Sequence, residues 1–231
     1  MAKNKEQVAQ NEAINISEAF ITKYKKPLLI AVIALLAIIV GIFCYKSFIS
    51  GPREDKASTM LGLGQAYFMN ENYEKALNGD GQGFVGFAKM TSDYSGTDAG
   101  NLAKLYAGLC YANLGKWQEA QQQLDAFSSK GDAMISPAAQ AALGNAYAHL
   151  NNLDKAVSCL KKAADMADSE AKDNVNYSLS PTFLIQAATI LESQNKKADA
   201  LKIYQDIKKK YVNSAVVQSL EIDKYIERAS R

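Results

Sequence analysis

Ala107 to Phe127, AGLCYANLGKWQEAQQQLDAF, is the stretch whose reading decides the fold. Small residues stand at Gly108, Gly115 and Ala120, and bulky ones at Tyr111, Trp117, Leu124 and Phe127. The successive offsets are 3, 4, 2, 3, 4 and 3, a helical spacing interrupted once near Gly115. This predicts two antiparallel helices joined by a tight turn, with Gly108 and Ala120 letting the two backbones approach closely.

The pattern recurs along the chain. Gly64, Tyr67, Tyr73 and Ala76 repeat the relative spacing of Gly108, Tyr111, Trp117 and Ala120. A third copy carries Gly144, Tyr147, Leu153, Ala156, Leu160 and Ala163. A fourth carries Ala188, Leu191, Ala200, Tyr204 and Ile207, with Asn195 at the turn. The copies start 44, 36 and 44 residues apart. Over residues 57–212 the pattern resembles the tetratricopeptide repeat, whose unit is about 34 residues. The expected fold class is therefore all-α, a solenoid of about four hairpins at 57–96, 97–135, 136–179 and 180–212.

The surplus length falls in two places. In the first copy, Asn78-Gly-Asp-Gly-Gln-Gly83 places three glycines within five residues, which a helix does not easily cross. The second helix is expected to break there and resume at Phe84, with Phe84, Phe87 and Met90 on one face, and Thr97 is expected to cap the next helix. In the third copy the second helix is expected to fade after Met166 into a loop at 168–179. Ser136-Pro137 and Ser180-Pro181 read as helix starts, Ser as the cap and Pro in the first turn. Asn213 or Ser214 is expected to cap a final helix within 213–231, covering the last hairpin as a solenoid end requires.

Before the array, Pro27 to Tyr45, PLLIAVIALLAIIVGIFCY, carries no charge. Nineteen residues at ~1.5 Å each reach ~28 Å, close to the ~30 Å hydrocarbon thickness of a bilayer. The segment is apolar on every face, so it reads as a single N-terminal transmembrane helix rather than a core helix. A cleaved signal peptide fits poorly, because the leading region is long and no A-x-A site follows. Five lysines precede the span, whereas Lys46, Arg53 and Lys56 follow it. That excess predicts a cytoplasmic tail at 1–26 and a translocated array. Ile16, Phe20 and Tyr24 share helical spacing, so the tail is either a surface helix or without fixed structure. Residues 46–56 read as a linker containing Gly51-Pro52.

The net charge of +2 on 231 residues is too small for nucleic-acid binding by bulk electrostatics. Three cysteines without a CxxC or Cys/His cluster argue against a structural zinc site, so no metal and no cofactor is expected. Cys110 and Cys159 are expected to pack as small apolar side chains rather than pair. Gly81-Gln-Gly-Phe-Val-Gly86 spells GxGxxG, but that fingerprint needs a preceding strand. As a calcium loop, Asn78 onward has Lys89 at the twelfth position, where a bidentate Glu belongs. His149, the one histidine, has no nucleophile or carboxylate partner, so no catalytic constellation can be assembled and the chain is not read as an enzyme. Lys208 to Lys210 read as a solvated helix end.

In this repeat family the first helix of each unit lines a concave groove. The resemblance places Leu61, Gln65, Phe68 and Met69 there from the first unit, and Leu102, Leu105, Leu109, Ala112 and Asn113 from the second. The third contributes Ala138, Asn145, Ala148 and His149, and the fourth Thr189 and Glu192. Leu61, Leu105, Ala141 and Ile185 stand where a clamp for acidic tails would want charge or amide, so a chaperone-tail adaptor is disfavoured. The groove could hold an apolar helix or an unfolded segment. Alternatively, Phe68, Met69, Leu102 and Leu105 pack under the 84–94 segment and leave no open groove.

A tail, a single span and a translocated repeat domain form the layout of a known family. With Lys25-Lys26 and the span, FAKMTSDYSGTDAG (Phe87 to Gly100), the repeats at Gly108 and Gly144, and Lys208 to Ala229, the chain resembles YfgM-type ancillary subunits of the SecYEG translocon, in the Bacteroidetes style of sequence. The GDGQG insertion departs from the proteobacterial pattern. The resemblance implies a non-enzymatic scaffold in the bacterial inner membrane, with its array in the periplasm at the translocon exit. Its implied partners are Sec translocon subunits, a membrane-anchored periplasmic chaperone of the PpiD type, and emerging secretory chains. A periplasmic adaptor for envelope assembly or cell division, built on the same repeat, is the alternative.

Overall fold

The structure, a computed structural model, describes residues 24–27 and 29–231. The readings of Ile16 and Phe20 lie outside the described residues. The chain divides after Arg53 into two units.

In the first unit the described residues from Tyr24 onward are helical, with the apolar side chains exposed. By length and composition this is a candidate membrane helix. Lys46–Ser50 widens into a π-turn closed by the Gly51 N–H on the Lys46 carbonyl. Pro52 has no N–H to return to the chain, and a locally wider turn accommodates that gap. Residues 46–56, expected as a linker, are thus helical, with Pro52 accommodated by the wider turn before it.

The second unit consists of paired antiparallel helices. The first helices of the four hairpins are α1 (Gly51–Met69, from Glu54 on in this unit), α4 (Asp98–Asn113), α6 (Ile135–His149) and α8 (Leu179–Ser193). Their second helices are α2 (Tyr73–Asn78), α5 (Trp117–Asp125), α7 (Leu153–Ser169) and α9 (Lys197–Lys210). α3 (Phe87–Asp93) is inserted after α2. Two short helices, α10 (Ala215–Gln218) and α11 (Glu221–Ser230), close the end.

Each hairpin turns through one left-handed residue, Glu71, Gly115, Asn151 or Asn195, with φ between 58° and 73°. In each, the next N–H reaches back to a carbonyl five residues earlier. These bonds run from Asn72 to Tyr67, Lys116 to Tyr111, Asn152 to Tyr147 and Lys196 to Leu191, at 2.8–2.9 Å. This is the Schellman closure of a helix C-terminus.

Close approach within a hairpin depends on the small residues. A Cβ on Gly108 would lie 2.6 Å from Leu124 Cγ, and one on Gly144 would lie 3.0 Å from Leu160 Cγ. Both partners are sixteen residues downstream. In the first copy that position is Asp80, and α2 has already ended. Phe84 and Phe87 take its place, and a Cβ on Gly64 would lie 2.5–2.6 Å from their rings. Phe84, Phe87 and Met90 are buried as the spacing predicts, although α3 begins at Phe87 rather than Phe84. The Asp80 carboxylate accepts from the N–H groups of Gln82 and Phe84 and from the Tyr67 hydroxyl, which closes the glycine loop.

The remaining joints are polar. Thr97 caps α4 by accepting from the Gly100 N–H at 2.9 Å, as expected, and Glu54 adds its carboxylate to the N–H groups of Asp98 and Ala99. Ser136 does not cap α6. The Asp132 carboxylate accepts from the N–H groups of Met134, Ile135 and Ser136 and from the Ser136 hydroxyl. Likewise Asn176, not Ser180, accepts from Ser178 and Leu179 at the head of α8. Each helix begins one residue before its serine, so that side chain faces inward, and an acid or amide upstream does the capping. α7 runs to Ser169, three residues past Met166. The expected final helix breaks at Leu220, whose φ is 61°.

Asp168, only 5% exposed, ties the third and fourth hairpins together. It accepts from the Asn176 N–H at 2.8 Å, from the Ser180 and Tyr211 hydroxyls at 2.6 and 2.7 Å, and from the Lys210 ammonium. Burial pushes its carboxyl pKa up, but these donors outweigh burial and hold it below the usual range.

Two measurements check this architecture. Gly64→Ala should cost about 1–3 kcal/mol through overpacking, whereas Glu71→Gly should gain about 0.5–1 kcal/mol by relieving a left-handed glutamate. Urea midpoints read by tryptophan emission give both signs; a neutral Gly64→Ala would sink the close-approach account. A depressed folded pKa contributes stability that is complete above the unfolded value, about 3.9, and is lost as pH falls through the folded value. Asp168→Asn should therefore cost about 1–3 kcal/mol near pH 7 and progressively less towards pH 3. Parallel pH profiles for the two proteins would refute this.

Candidate functional site

The first helices α1, α4 and α6 enclose a cavity of about 430 Å³ lined by Gln65, Phe68, Leu102, Leu105, Tyr106, Leu109, Met134, Ile135 and Ala138. A second cavity of about 330 Å³ adjoins it across Leu109 and continues between α4 and α6. Asn113, Asn145, His149, Ala112, Ala142 and Ala148 line it, with Trp117 and Leu124 contributed by α5.

Of the residues expected in the groove, Gln65, Phe68, Leu102, Leu105 and Leu109 line the first cavity. Leu109, Asn113, Asn145 and His149 line the second. Leu61 does not join them. It is 8% exposed and packs with Ala57, Leu77 and Phe87 in the first core cluster. Met69 is 82% exposed and lies outside both linings, at the last residue of α1. Glu192, expected to face the groove from the fourth unit, is instead engaged by the Arg228 guanidinium of α11 and by the Tyr204 hydroxyl.

None of residues 84–94 lines either cavity. The Phe87 ring lies against Tyr106, with centroids 5.1 Å apart and planes 19° from parallel. Phe68 meets Tyr106 edge-on at 5.3 Å and Tyr73 edge-on at 5.5 Å. The Tyr106 hydroxyl accepts from Gln65 Nε2 at 2.9 Å. The aromatic cluster thus fixes Phe68 and Tyr106 as a wall of the first cavity, while Phe68 and Leu102 also pack against the core that holds Phe84, Phe87 and Met90.

Sequence reasoning missed Tyr106, Met134, Ile135 and Trp117. Met134 and Ile135 are 69% and 47% exposed, and they sit where the chain enters α6. Adjacent bulky apolar residues before a helix start were the available signal. Trp117 was read as hairpin packing, yet its indole also carries His149. The two rings are parallel within 2°, with centroids 3.6 Å apart. His149 therefore presents its ring to the second cavity with the Trp117 indole stacked on it.

The electrostatics separate the two faces of the array. Among the described residues no Asp, Glu, Lys or Arg lines the two cavities between first helices. The clefts between second helices are charged. Asp125, Lys155 and Lys162 line one, and Lys161, Asp165, Asp199, Lys202 and Asp206 line the other. Among the described residues no group of three or more His, Cys, Asp or Glu side chains could hold a metal ion. Burial pushes the Cys110 thiol up to about 12, which keeps it protonated and unreactive near neutrality.

Comparison with known proteins agrees with this architecture. The sequence profile of the tetratricopeptide repeat-like domain matches residues 18–222. The chain therefore belongs to that family, a repeat scaffold. Two crystal structures of TPR-like repeats from a Podosopora anserina protein assigned as a kinesin light chain, one a single-substitution variant, are similar in fold. Each is 13% identical and covers 77% of this chain and 94% of its own, with TM-scores of 0.52 and 0.53. No curated protein matches in sequence.

The single tryptophan makes the groove observable. His149→Ala should uncover one face of the indole and red-shift its emission in the folded protein. An unchanged spectrum would mean that the rings do not stack in solution.

Proposed function

We propose that this member of the tetratricopeptide repeat-like family is a membrane-anchored scaffold that holds segments of other proteins in the groove formed by α1, α4 and α6. The single observation that carries the reading is that open groove, apolar at one end and polar but uncharged at the other. In this reading the apolar segment at 27–45 is the anchor, and the lysine excess before it supports a topology with residues 1–26 in the cytoplasm and the array in the periplasm. An array confined to the membrane surface meets other membrane components at high effective concentration, so weak contacts suffice for function.

The finer reading rests on the resemblance to YfgM-type subunits. In it the scaffold stands at the periplasmic exit of the Sec translocon in the inner membrane. It receives emerging secretory chains and passes them to a membrane-anchored periplasmic chaperone. The chemistry is binding rather than catalysis, and no cofactor is required.

A photo-crosslinker at Ile135 in the full-length protein in native membranes tests both levels. Translocon subunits and nascent secretory chains among the adducts are the expected result. Adducts restricted to envelope-assembly or division proteins would replace the translocon reading with that of a periplasmic adaptor. Protease digestion of sealed spheroplasts should degrade the array and spare residues 1–26; a protected array would overturn the topology and the exit-site role together.

A further inference from the structure

We infer that α9 is a self-association surface, which takes the α9 of a second copy of this chain antiparallel across a two-fold axis at the level of Tyr204.

Asp199, Lys202, Asp206 and Lys209 alternate in charge at offsets of 3, 4 and 3 along α9. At ~100° per residue they fall within an arc of about 80° and span ~15 Å of helix. All four are exposed. The second helix of the fourth hairpin thus turns a striped face of two acids and two lysines to solvent.

Alternation at these offsets ordinarily serves the helix itself, through ion pairs between successive turns. Such pairs close elsewhere in the chain, between Lys89 and Asp93 and between Glu227 and Arg231. Along α9 none of the three neighbouring pairs comes within ion-pair distance among the described residues. The lysines on either side of Lys209 are engaged, Lys208 by Asp223 at 2.6 Å and Lys210 by the buried Asp168. The stripe is the part of α9 whose charges the fold leaves unmatched.

The order of signs says what covers it. Asp199 and Lys209 stand five residues either side of Tyr204, and Lys202 and Asp206 two residues either side. An antiparallel copy of α9 centred there sets Asp199 against Lys209 of the second copy and Lys202 against Asp206 of the second copy, and the two-fold axis repeats both contacts. Every charge of the stripe then faces its opposite. A parallel copy in register sets like against like at each position, which is repulsive. Sliding the antiparallel copy by one turn is no better. In one direction Asp199 meets Asp206 or Lys202 meets its own equivalent; in the other Lys202 meets Lys209 or Asp206 meets its own equivalent.

The cleft of about 430 Å³ beside the stripe adds apolar surface, because Leu184, Leu191 and Ile203 line it along with Asp199, Lys202 and Asp206. The aliphatic stem of the second copy's Lys202 can lie there while its ammonium reaches Asp206. On the α7 side the cleft carries Lys161 and Asp165, one charge of each sign, which add no net repulsion. Exposed ion pairs contribute little singly, and one pair of helices buries less than the ~1,200 Å² of a stable interface, so the dimer is weak and salt-sensitive. α9 lines neither cavity between first helices, so this pairing stands or falls separately from the groove.

Sedimentation equilibrium of the full-length protein in density-matched detergent tests this. The wild type should form a dimer at about 0.3 mM, within the range of weak specific association. Lys202→Asp and Asp206→Lys should each weaken it about tenfold or more, since each sets like charges together twice. An equimolar mixture of the two variants should regain a dimer at least as tight as the wild type, because one then carries only acids at the two positions and the other only lysines. Raising salt from about 0.1 M to about 1 M, which shortens the screening length from ~10 Å to ~3 Å, should weaken the wild-type dimer likewise. A protein that stays monomeric at that concentration, a dimer that neither substitution weakens, or two weakened variants that fail to rescue each other would each overturn the inference.

Discussion

The contact between a small residue on a first helix and a bulky one sixteen residues downstream is the constraint on which the array depends. A Cβ on Gly108 would overlap Leu124, and one on Gly144 would press tightly on Leu160. The notch brings two helices within reach of Ala120 and Ala156, which are fully buried. Once each hairpin closes in this way, its first helix is free to pack against the next hairpin, and a row of first helices follows. The first hairpin shows that the requirement is for volume and not for a particular element. Its second helix ends before the required position, and two phenylalanines from an insertion fill the notch. The three-glycine loop is what lets the chain fold back to deliver them, with Asp80 closing the loop from within.

The hairpin architecture was legible because its determinants are local. Helical spacing, a turn residue that tolerates positive φ and a small residue facing a large one all lie within about twenty residues, and each carries its own steric meaning. Glu71 shows the limit of the turn signal: it adopts the left-handed conformation without being a residue that favours it, because the flanking helices dictate the turn. The Ser-Pro helix starts lie two residues earlier than their serine caps would put them, for a comparable reason. A cap is defined by which side chain reaches the free N–H groups. Asp132 and Asn176, three residues before their helices, reach them first and leave Ser136 and Ser180 to be buried.

The groove was legible only in part. The family spacing puts Gln65, Phe68, Leu105 and Leu109 on one surface, and in the structure they line one cavity. Leu61 shares the same face by spacing, but the inserted Phe87 draws it into the core, and nothing within α1 announces that. Met134 and Ile135 line the groove because α6 starts beside α4, which depends on how successive hairpins stack. Trp117 serves both the hairpin and the groove, and a sequence pattern assigns a residue only one of those roles.

Stacking hairpins also yields two surfaces of different chemistry from one repeat. First helices pack through small residues on two sides, so most of their surface is occupied and what remains can be apolar without exposing a large patch. Second helices face solvent along their outer side and carry the lysines and acids that keep the array soluble. The ends need a separate solution. At the last hairpin, the Lys208–Asp223 pair at 2.6 Å and the Arg228–Glu192 pair fasten α11 over what would otherwise be an open first-helix face. Glu192 would have put a charge into the continuation of the groove, and Arg228 neutralises it there. The uncharged surface is thereby confined to the first three hairpins.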